Sequence, residues 1–182
     1  MTLKKYFATI KNREKINEDT YQVDFILDDN SEDFIYTAGQ YAMIKCEKEI
    51  NDGRSNVRAF SIYSSPKKAL EDKIISIVFR LPDNASEYKK HLVSCSFNEK
   101  IIILGPIGKF TRDKEKELIM IAGGTGIAPF MSMIKESNEE KSNQKITLIY
   151  TDKSKEKMIG LNELKKLEKS NEKLMLLWTR LS

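Results

Sequence analysis

The apolar positions of this chain change rhythm partway along. Up to about residue 112 they come in short aromatic and β-branched runs, at Tyr6–Ile10, Thr20–Leu27, Tyr41–Cys46, Arg58–Ile62, Ile74–Phe79 and Lys100–Leu104. Polar or Gly/Pro-containing turns separate them, which predicts short strands. Six strands at this spacing predict an antiparallel barrel or sandwich. One helical interruption is expected at Ser86–Val93, where Ser86 is a good N-cap and Tyr88, His91 and Leu92 give a partial apolar stripe.

From Leu118 onward strands alternate with helices. Leu118–Ala122 is continuously apolar and predicts a strand buried on both faces. Gly123-Gly124-Thr125-Gly126 turns the chain, and Pro129 suits the first turn of a helix, where its missing N–H costs nothing. Phe130, Met133 and Ile134 supply that helix's inner face. A strand follows at Lys145–Tyr150, then a helix marked by Leu161, Leu164 and Leu167, then a strand at Leu174–Trp178. This is a parallel α/β unit. The charged link Arg112–Glu117 is the natural boundary, dividing the chain into 1–113 and 114–182.

Composition narrows the class. A chain of 182 residues with 40% hydrophobic and 32% charged residues reads as a globular protein of one large or two small domains. The net charge of +4 comes from mixed signs, without the clustered basic surface and interleaved aromatics of a nucleic-acid binder. No apolar run approaches the roughly 18 residues of a membrane span, and Met1–Tyr6 opens without an apolar signal core. Cys46 and Cys95 form no CxxC pair, so no metal site is expected, and their sparseness fits a reducing, cytoplasmic setting. The single His91 is expected to have no ligand-type partner nearby and reads as a helix-surface or core histidine rather than a catalytic one.

Three segments carry candidate chemistry. In Arg58-Ala59-Phe60-Ser61, strand alternation puts Arg58 and Phe60 on one side and Ser61 on the other unless the strand ends there. A guanidinium forks onto phosphate and an aromatic ring stacks on a heterocycle, so this pairing suits a ligand with a phosphate and a flat ring. A half-buried strand ending in a Ser-Ser-Pro turn explains the same residues. Gly124-Thr125-Gly126 lies between a buried strand and a helix start, where backbone N–H groups and the helix dipole favour a pyrophosphate. A tight turn with no ligand explains it too. Asp152, just past the second α/β strand, reads as a solvated loop aspartate rather than a ribose ligand. Pro82–Ser86 leads into the short helix, whose free N–H groups make a second anion site. Gly105-Pro106-Ile107-Gly108-Lys109-Phe110 reads as a rigid turn after the last barrel strand.

The order of these segments is more specific than any one of them. Gly39-Gln40-Tyr41, Arg58-Ala59-Phe60-Ser61, Asn84-Ala85-Ser86, Gly105–Phe110 and Gly123–Pro129 succeed one another in a way that closely resembles the ferredoxin–NADP reductase-like flavoprotein superfamily, from about Tyr6 to Ser182. The resemblance implies a six-stranded antiparallel Greek-key β-barrel that binds FAD, with FMN the second choice, followed by a Rossmann-like domain that binds NADP or NAD. It implies that Arg58 holds flavin phosphate, that Phe60 replaces the family's stacking tyrosine, and that the Ser61 hydroxyl lies near flavin N5. Val78, Phe79 and Arg80 take the place of the second flavin strand. Ala85 and Ser86 take the place of the helix opening over the pyrophosphate. Gly124 and Gly126 flank Thr125, which matches the threonine near the nicotinamide. Thr179-Arg180 resembles the pair that holds the 2′-phosphate of NADP. Ser61 and Thr125 are the implied catalytic residues.

Family members continue beyond the third α/β strand with a further strand, a Cys-Gly-Pro turn and a final helix–strand unit, so the α/β domain is expected to be partial. Its glycine-turn strand is then a sheet edge that a dimer mate or partner chain should cover. The implied function is electron transfer from NAD(P)H through FAD to a protein carrier such as a ferredoxin, or to an oxygenase or other redox partner. The alternatives are an FAD-binding subunit of a larger complex without direct NAD(P)H oxidation, and a non-catalytic truncated binding module.

Overall fold

The computed structural model describes residues 3–29, 33–51 and 53–180. Met1 and Thr2 of the N-terminal stretch read above, and Leu181 and Ser182 at the other end, lie outside the described residues. The strands are β1 (Lys5–Asn17), β2 (Thr20–Leu27), β3 (Tyr41–Cys46), β4 (Val57–Ser61), β5 (Ile74–Arg80) and β6 (Ile101–Ile107), with helices α1 (Pro66–Glu71) and α2 (Glu87–Ser94) between them. The second part holds β7 (Leu118–Gly123), α3 (Ile127–Glu139), β8 (Ile146–Asp152), α4 (Leu161–Ser170) and β9 (Leu174–Arg180), with a 3₁₀ turn at Gly124–Gly126.

The first six strands form one antiparallel sheet in the order β4-β3-β6-β1-β2-β5. It curls until its two edges approach, and Phe60 of β4 meets Phe79 of β5 at 5.7 Å between ring centroids. The pattern closes because alternate residues point inward. Val23, Phe25 and Leu27 of β2, Ala42, Ile44 and Cys46 of β3 and Ile101 and Ile103 of β6 share one core. Phe34 and Tyr36, from a segment with no strand rhythm, complete it, and the Tyr36 hydroxyl donates to the Ser64 carbonyl at 2.6 Å.

Two readings of the barrel segments are corrected. The chain does not merely turn after Ile62: Ser65 accepts from the Lys68 N–H and Pro66 fills the first turn of α1. Serine before proline carries that signal in the sequence. Gly105-Pro106-Ile107 does not punctuate a turn but continues β6, which pairs through Ile107 with Tyr41.

The second sheet is parallel, in the order β7-β8-β9, with α3 and α4 packed on one face. Met120, Ala122, Leu148, Tyr150, Leu174 and Leu176 face these helices. The reading of Leu118–Ala122 as buried on both faces does not hold. Ile119 and Ile121 are 73% and 68% exposed, and Met175 and Leu177 lie open beside them. Among the described residues, no element covers this apolar face, and β7 is an edge strand.

The link between the two sheets is not a loose charged segment. The Arg112 side chain is wholly buried and donates to Glu136 at 2.8 Å, to Gln144 at 2.8 Å and to Glu140. Gln144 in turn donates to the Asp113 and Lys116 carbonyls, both at 2.6 Å. The two units also share a seam. Ala38, Tyr63 and Val78 of the barrel part belong to the second core, and the Ser132 hydroxyl of α3 donates to the Ser64 carbonyl at 2.6 Å.

Candidate functional site

A cleft of about 880 Å³ opens along this seam. β4 contributes Arg58, Ala59, Phe60 and Ser61 to its wall, β5 contributes Val78, Phe79 and Arg80, the start of α2 contributes Ala85 and Ser86, and the glycine turn contributes Thr125. Three sequence segments separated by long stretches of chain thus meet at one place. Sequence reasoning missed Arg54, Lys89, Glu87 and Ala128, which line the same cleft. No spacing rule ties those residues to β4, because only the curl of the barrel brings them there.

Phe60 and Phe79 line the cleft, and Tyr88 lies beneath Phe60. The Tyr88 ring is fully buried and its hydroxyl donates to the Ile44 carbonyl at 2.7 Å. Phe60 lies over it nearly parallel at 6.3 Å, and the Arg58 guanidinium sits 5.1 Å from the same ring. Arg58 and Phe60 therefore share a side of β4, as strand alternation requires, and Ser61 ends the strand. Arg58 also donates to the Val57 carbonyl at 2.9 Å and to the Ser55 carbonyl, which fixes its stem beside the cleft.

The rim is cationic, with Arg54, Arg58, Arg80 and Lys89 against a lone Glu87. Burial holds the Lys89 pKa below its ordinary value, and its ammonium donates to the Arg80 carbonyl at 3.1 Å. At the start of α2 the Ser86 hydroxyl accepts from the Lys89 N–H at 3.5 Å, so one of the free donors expected there is already occupied.

Arg80 is committed elsewhere as well. Its Nη2 donates to both carboxylate oxygens of Asp152 at 2.6 Å, and its Nη1 lies 3.6 Å from Asp19. Burial alone would pull the Arg80 pKa down. The hydrogen bond and charge of Asp152, with Asp19 behind, hold it above its ordinary value. Asp152 is consequently not a solvated loop residue. It is 3% exposed and ties the end of β8 to the end of β5.

The glycine turn lies at the carboxyl end of the parallel strands, the usual ligand side of an open α/β sheet. Gly124 has φ +54, and a Cβ there would stand 3.4 Å from the Arg80 guanidinium. Neither the 3₁₀ turn nor α3 has a side chain capping its N-terminus, unlike α1 and α2. Gly124 and Gly126 lie beside the cleft rather than in its wall. Thr179 and Arg180 end β9 in register with Thr151 and Asp152, exposed and outside the cleft lining.

A FAD molecule asks for a phosphate-binding rim, a flat apolar face and polar atoms near its reacting ring. Arg54, Arg58 and Lys89, the rings of Phe60 and Phe79, and Ser61 with Thr125 supply those features along one open cleft. Elsewhere, His91 does have ligand-type neighbours in space. Its Nε2 lies 2.5 Å from Glu99 Oε1, and Cys46 is adjacent.

A barrel with such a cleft, joined to a parallel α/β unit with a glycine-rich turn, defines a two-domain flavoprotein oxidoreductase fold. Comparison with known families agrees: the profile of the oxidoreductase FAD-binding domain matches residues 7–111, and that of the oxidoreductase NAD-binding domain matches residues 120–182. The chain belongs to the oxidoreductase FAD-binding domain family, within the ferredoxin–NADP reductase-like superfamily. It is 27% identical over 145 residues to flavohemoprotein A of Dictyostelium discoideum, covering 75% of this chain and 36% of that protein. It is 26% identical over 147 residues to the toluate 1,2-dioxygenase electron transfer component of Pseudomonas putida, covering 80% of this chain and 40% of the relative. The ferredoxin–NADP⁺ reductase of Plasmodium falciparum shares the fold with a TM-score of 0.79 at 20% identity, over 96% of this chain and 70% of that one. The chain thus spans well under half the length of these curated relatives.

Proposed function

We propose that this chain binds FAD in the seam cleft and works as the flavin module of an NAD(P)H-dependent reductase that delivers electrons to a protein partner. The observation that carries the reading is the convergence of Arg58–Ser61, Val78–Arg80, Ala85–Ser86 and Thr125 on one cleft with aromatic lining and a cationic rim. When bound, FAD supplies two-electron acceptance from a nicotinamide and one-electron release to a carrier or oxygenase component.

The chain's own residues do the rest. Arg58 and Arg54 neutralise the cofactor's phosphates, and Lys89 with the first turn of α2 extends that charge along the rim. Phe60 stacks on the flavin ring, backed by Tyr88 and Phe79, so the ring rests on a stiff shelf. Ser61 offers a hydroxyl at the reacting edge. Thr125 stands across the cleft from the barrel wall, on the turn where the nicotinamide end of NAD(P)H would arrive. Thr179 and Arg180 favour NADPH over NADH, a guanidinium being suited to a 2′-phosphate. The electron acceptor is a ferredoxin-like carrier or an oxygenase component, as the names of the relatives suggest for those proteins.

A second reading, an FAD-binding electron-transfer subunit that takes no hydride itself, is favoured by one observation. Ile119, Ile121, Met175 and Leu177 are exposed together on one face of the three-stranded sheet, an apolar surface suited to contact with another polypeptide of a larger complex. In either reading a dimer mate or further polypeptide covers that face and the β7 edge.

The test is anaerobic mixing of flavin-loaded protein with NADPH and with NADH, followed in the flavin absorption band. Rapid bleaching supports the reductase, and a stable yellow protein supports the electron-transfer subunit. A protein that neither carries nor takes up FAD rules out both.

A further inference from the structure

One thiol, the single imidazole of this sequence and a carboxylate converge on one spot. The chain has two cysteines and one histidine. Ligand atoms of Cys46, His91 and Glu99 lie within 4.8 Å of one another. Cys46, the last residue of β3, is fully buried, while His91 and Glu99 form a partly open rim at 14% and 16% side-chain exposure. Cys95 is engaged elsewhere, its Sγ accepting from Arg13 Nη2 at 3.1 Å. His91 is the fifth of the eight residues of α2, about 7.5 Å along the axis from Ser86 at 1.5 Å per residue.

We propose that Cys46, His91 and Glu99 bind a divalent transition metal of the zinc class, with water in the fourth position. The donor set is the first argument. Thiolate, imidazole and carboxylate together suit Zn²⁺ and exclude the all-oxygen preference of Mg²⁺ and Ca²⁺. Geometry is the second. Zn–S of about 2.3 Å and Zn–N of about 2.0 Å place tetrahedral donors roughly 3.4–3.6 Å apart. Atoms already within 4.8 Å reach that spacing by small side-chain movements.

Charge is the third argument. One thiolate, one carboxylate and a neutral imidazole balance a divalent cation with no residual charge. The consequence is structural. The metal ties the C-terminal end of α2 to β3, while the N-terminal end of the same helix lines the flavin cleft.

The experiment uses the whole chain, reduced and stripped with a chelator, titrated anaerobically with Co²⁺ and then with Zn²⁺. Expected are one Co²⁺ per chain, a thiolate-to-cobalt charge-transfer band with intense visible bands of tetrahedral cobalt, and full displacement by one equivalent of Zn²⁺. Cys46→Ser and His91→Gln should each weaken binding by at least about 100-fold, since even outer-shell partners of a metal cost 10–100-fold. Because Cys46 is buried, Glu99→Gln at the rim serves as a shape-preserving variant that should weaken binding while flavin retention stays unchanged. A titration without the charge-transfer band overturns the proposal. So does Co²⁺ affinity unaltered in both His91→Gln and Glu99→Gln, which would leave His91–Glu99 as an ordinary ion pair.

Discussion

Asp152→Asn probes one of the bonds that join the two units at their seam. Both carboxylate oxygens of Asp152 lie 2.6 Å from Arg80 Nη2, and Asp152 is 3% exposed, so water cannot replace its partner. Breaking a buried pair from one side typically costs about 3–5 kcal/mol. Two features of this site reduce that figure. Arg80 is 22% exposed and keeps Asp19 at 3.6 Å, so its charge is not orphaned. Asparagine also retains an oxygen to accept the Lys153 N–H, a bond of 2.7 Å. A charged hydrogen bond contributes about 1.5–3 kcal/mol, and the buried end argues for the upper half, so the expected loss is about 2–3 kcal/mol. With a urea slope near 2 kcal/mol/M, the unfolding midpoint should fall by about 1–1.5 M. A double-mutant cycle with Arg80→Met isolates the pair, with an expected coupling of about 2 kcal/mol. A midpoint shift below about 0.3 M, or additivity of the two substitutions, would refute the view that this ion pair fastens the seam.

Four further outcomes follow from the same geometry. Arg58→Ala should weaken FAD retention by about 10–100-fold, the loss of a charged contact, measured by equilibrium dialysis; unchanged retention would show that Arg58 does not hold the phosphates. Gly39→Ala should lower the melting temperature by about 5–10 °C, because Gly39 has φ +100 and a Cβ would meet the Phe110 carbonyl oxygen at 2.1 Å and Met133 Cε at 2.3 Å. Ile119→Lys with Ile121→Lys should suppress concentration-dependent association in analytical ultracentrifugation while changing folded-state stability by less than about 0.5 kcal/mol; a wild-type chain that stays monomeric at all concentrations removes the premise. Asp19 and Glu140 are held below the ordinary carboxylate range. Burial opposes this, but Thr20, Arg80 and Lys157 outweigh it at Asp19, and Lys114 and Arg112 at Glu140. Their stabilisation should be fully present above the unfolded value of about 4 and lost as pH falls through their lower folded values, so a urea midpoint flat from pH 6 down to about 3 contradicts the assignment.

The barrel strands were legible because a half-buried strand writes its burial into a two-residue alternation, and β2 and β3 fall where that alternation places them. The glycine turn was legible for a related reason: a positive φ at Gly124 admits few other residues. Less was readable where polar side chains are buried by distant partners. Arg112 and Asp152 look like solvated charges in sequence. Their partners lie 24 to 32 residues away for Arg112, and 72 residues away for Asp152. The bare face of the parallel sheet was equally hidden, because Leu118–Ala122 reads as apolar throughout whether one face or two are covered.

Local pattern by itself determined the two-part architecture and most of its strands and helices, since each rests on periodicity or backbone preference within a few residues, while the flavin assignment came from the order of the motifs through the family resemblance. The tertiary structure alone decided that Arg54 and Lys89 join Arg58 at one cleft, that Arg80 is held by Asp152, and that Cys46, His91 and Glu99 stand together. Those juxtapositions arise from sheet curl and strand order, which bring distant residues into contact and leave no trace in the spacing of neighbours along the chain.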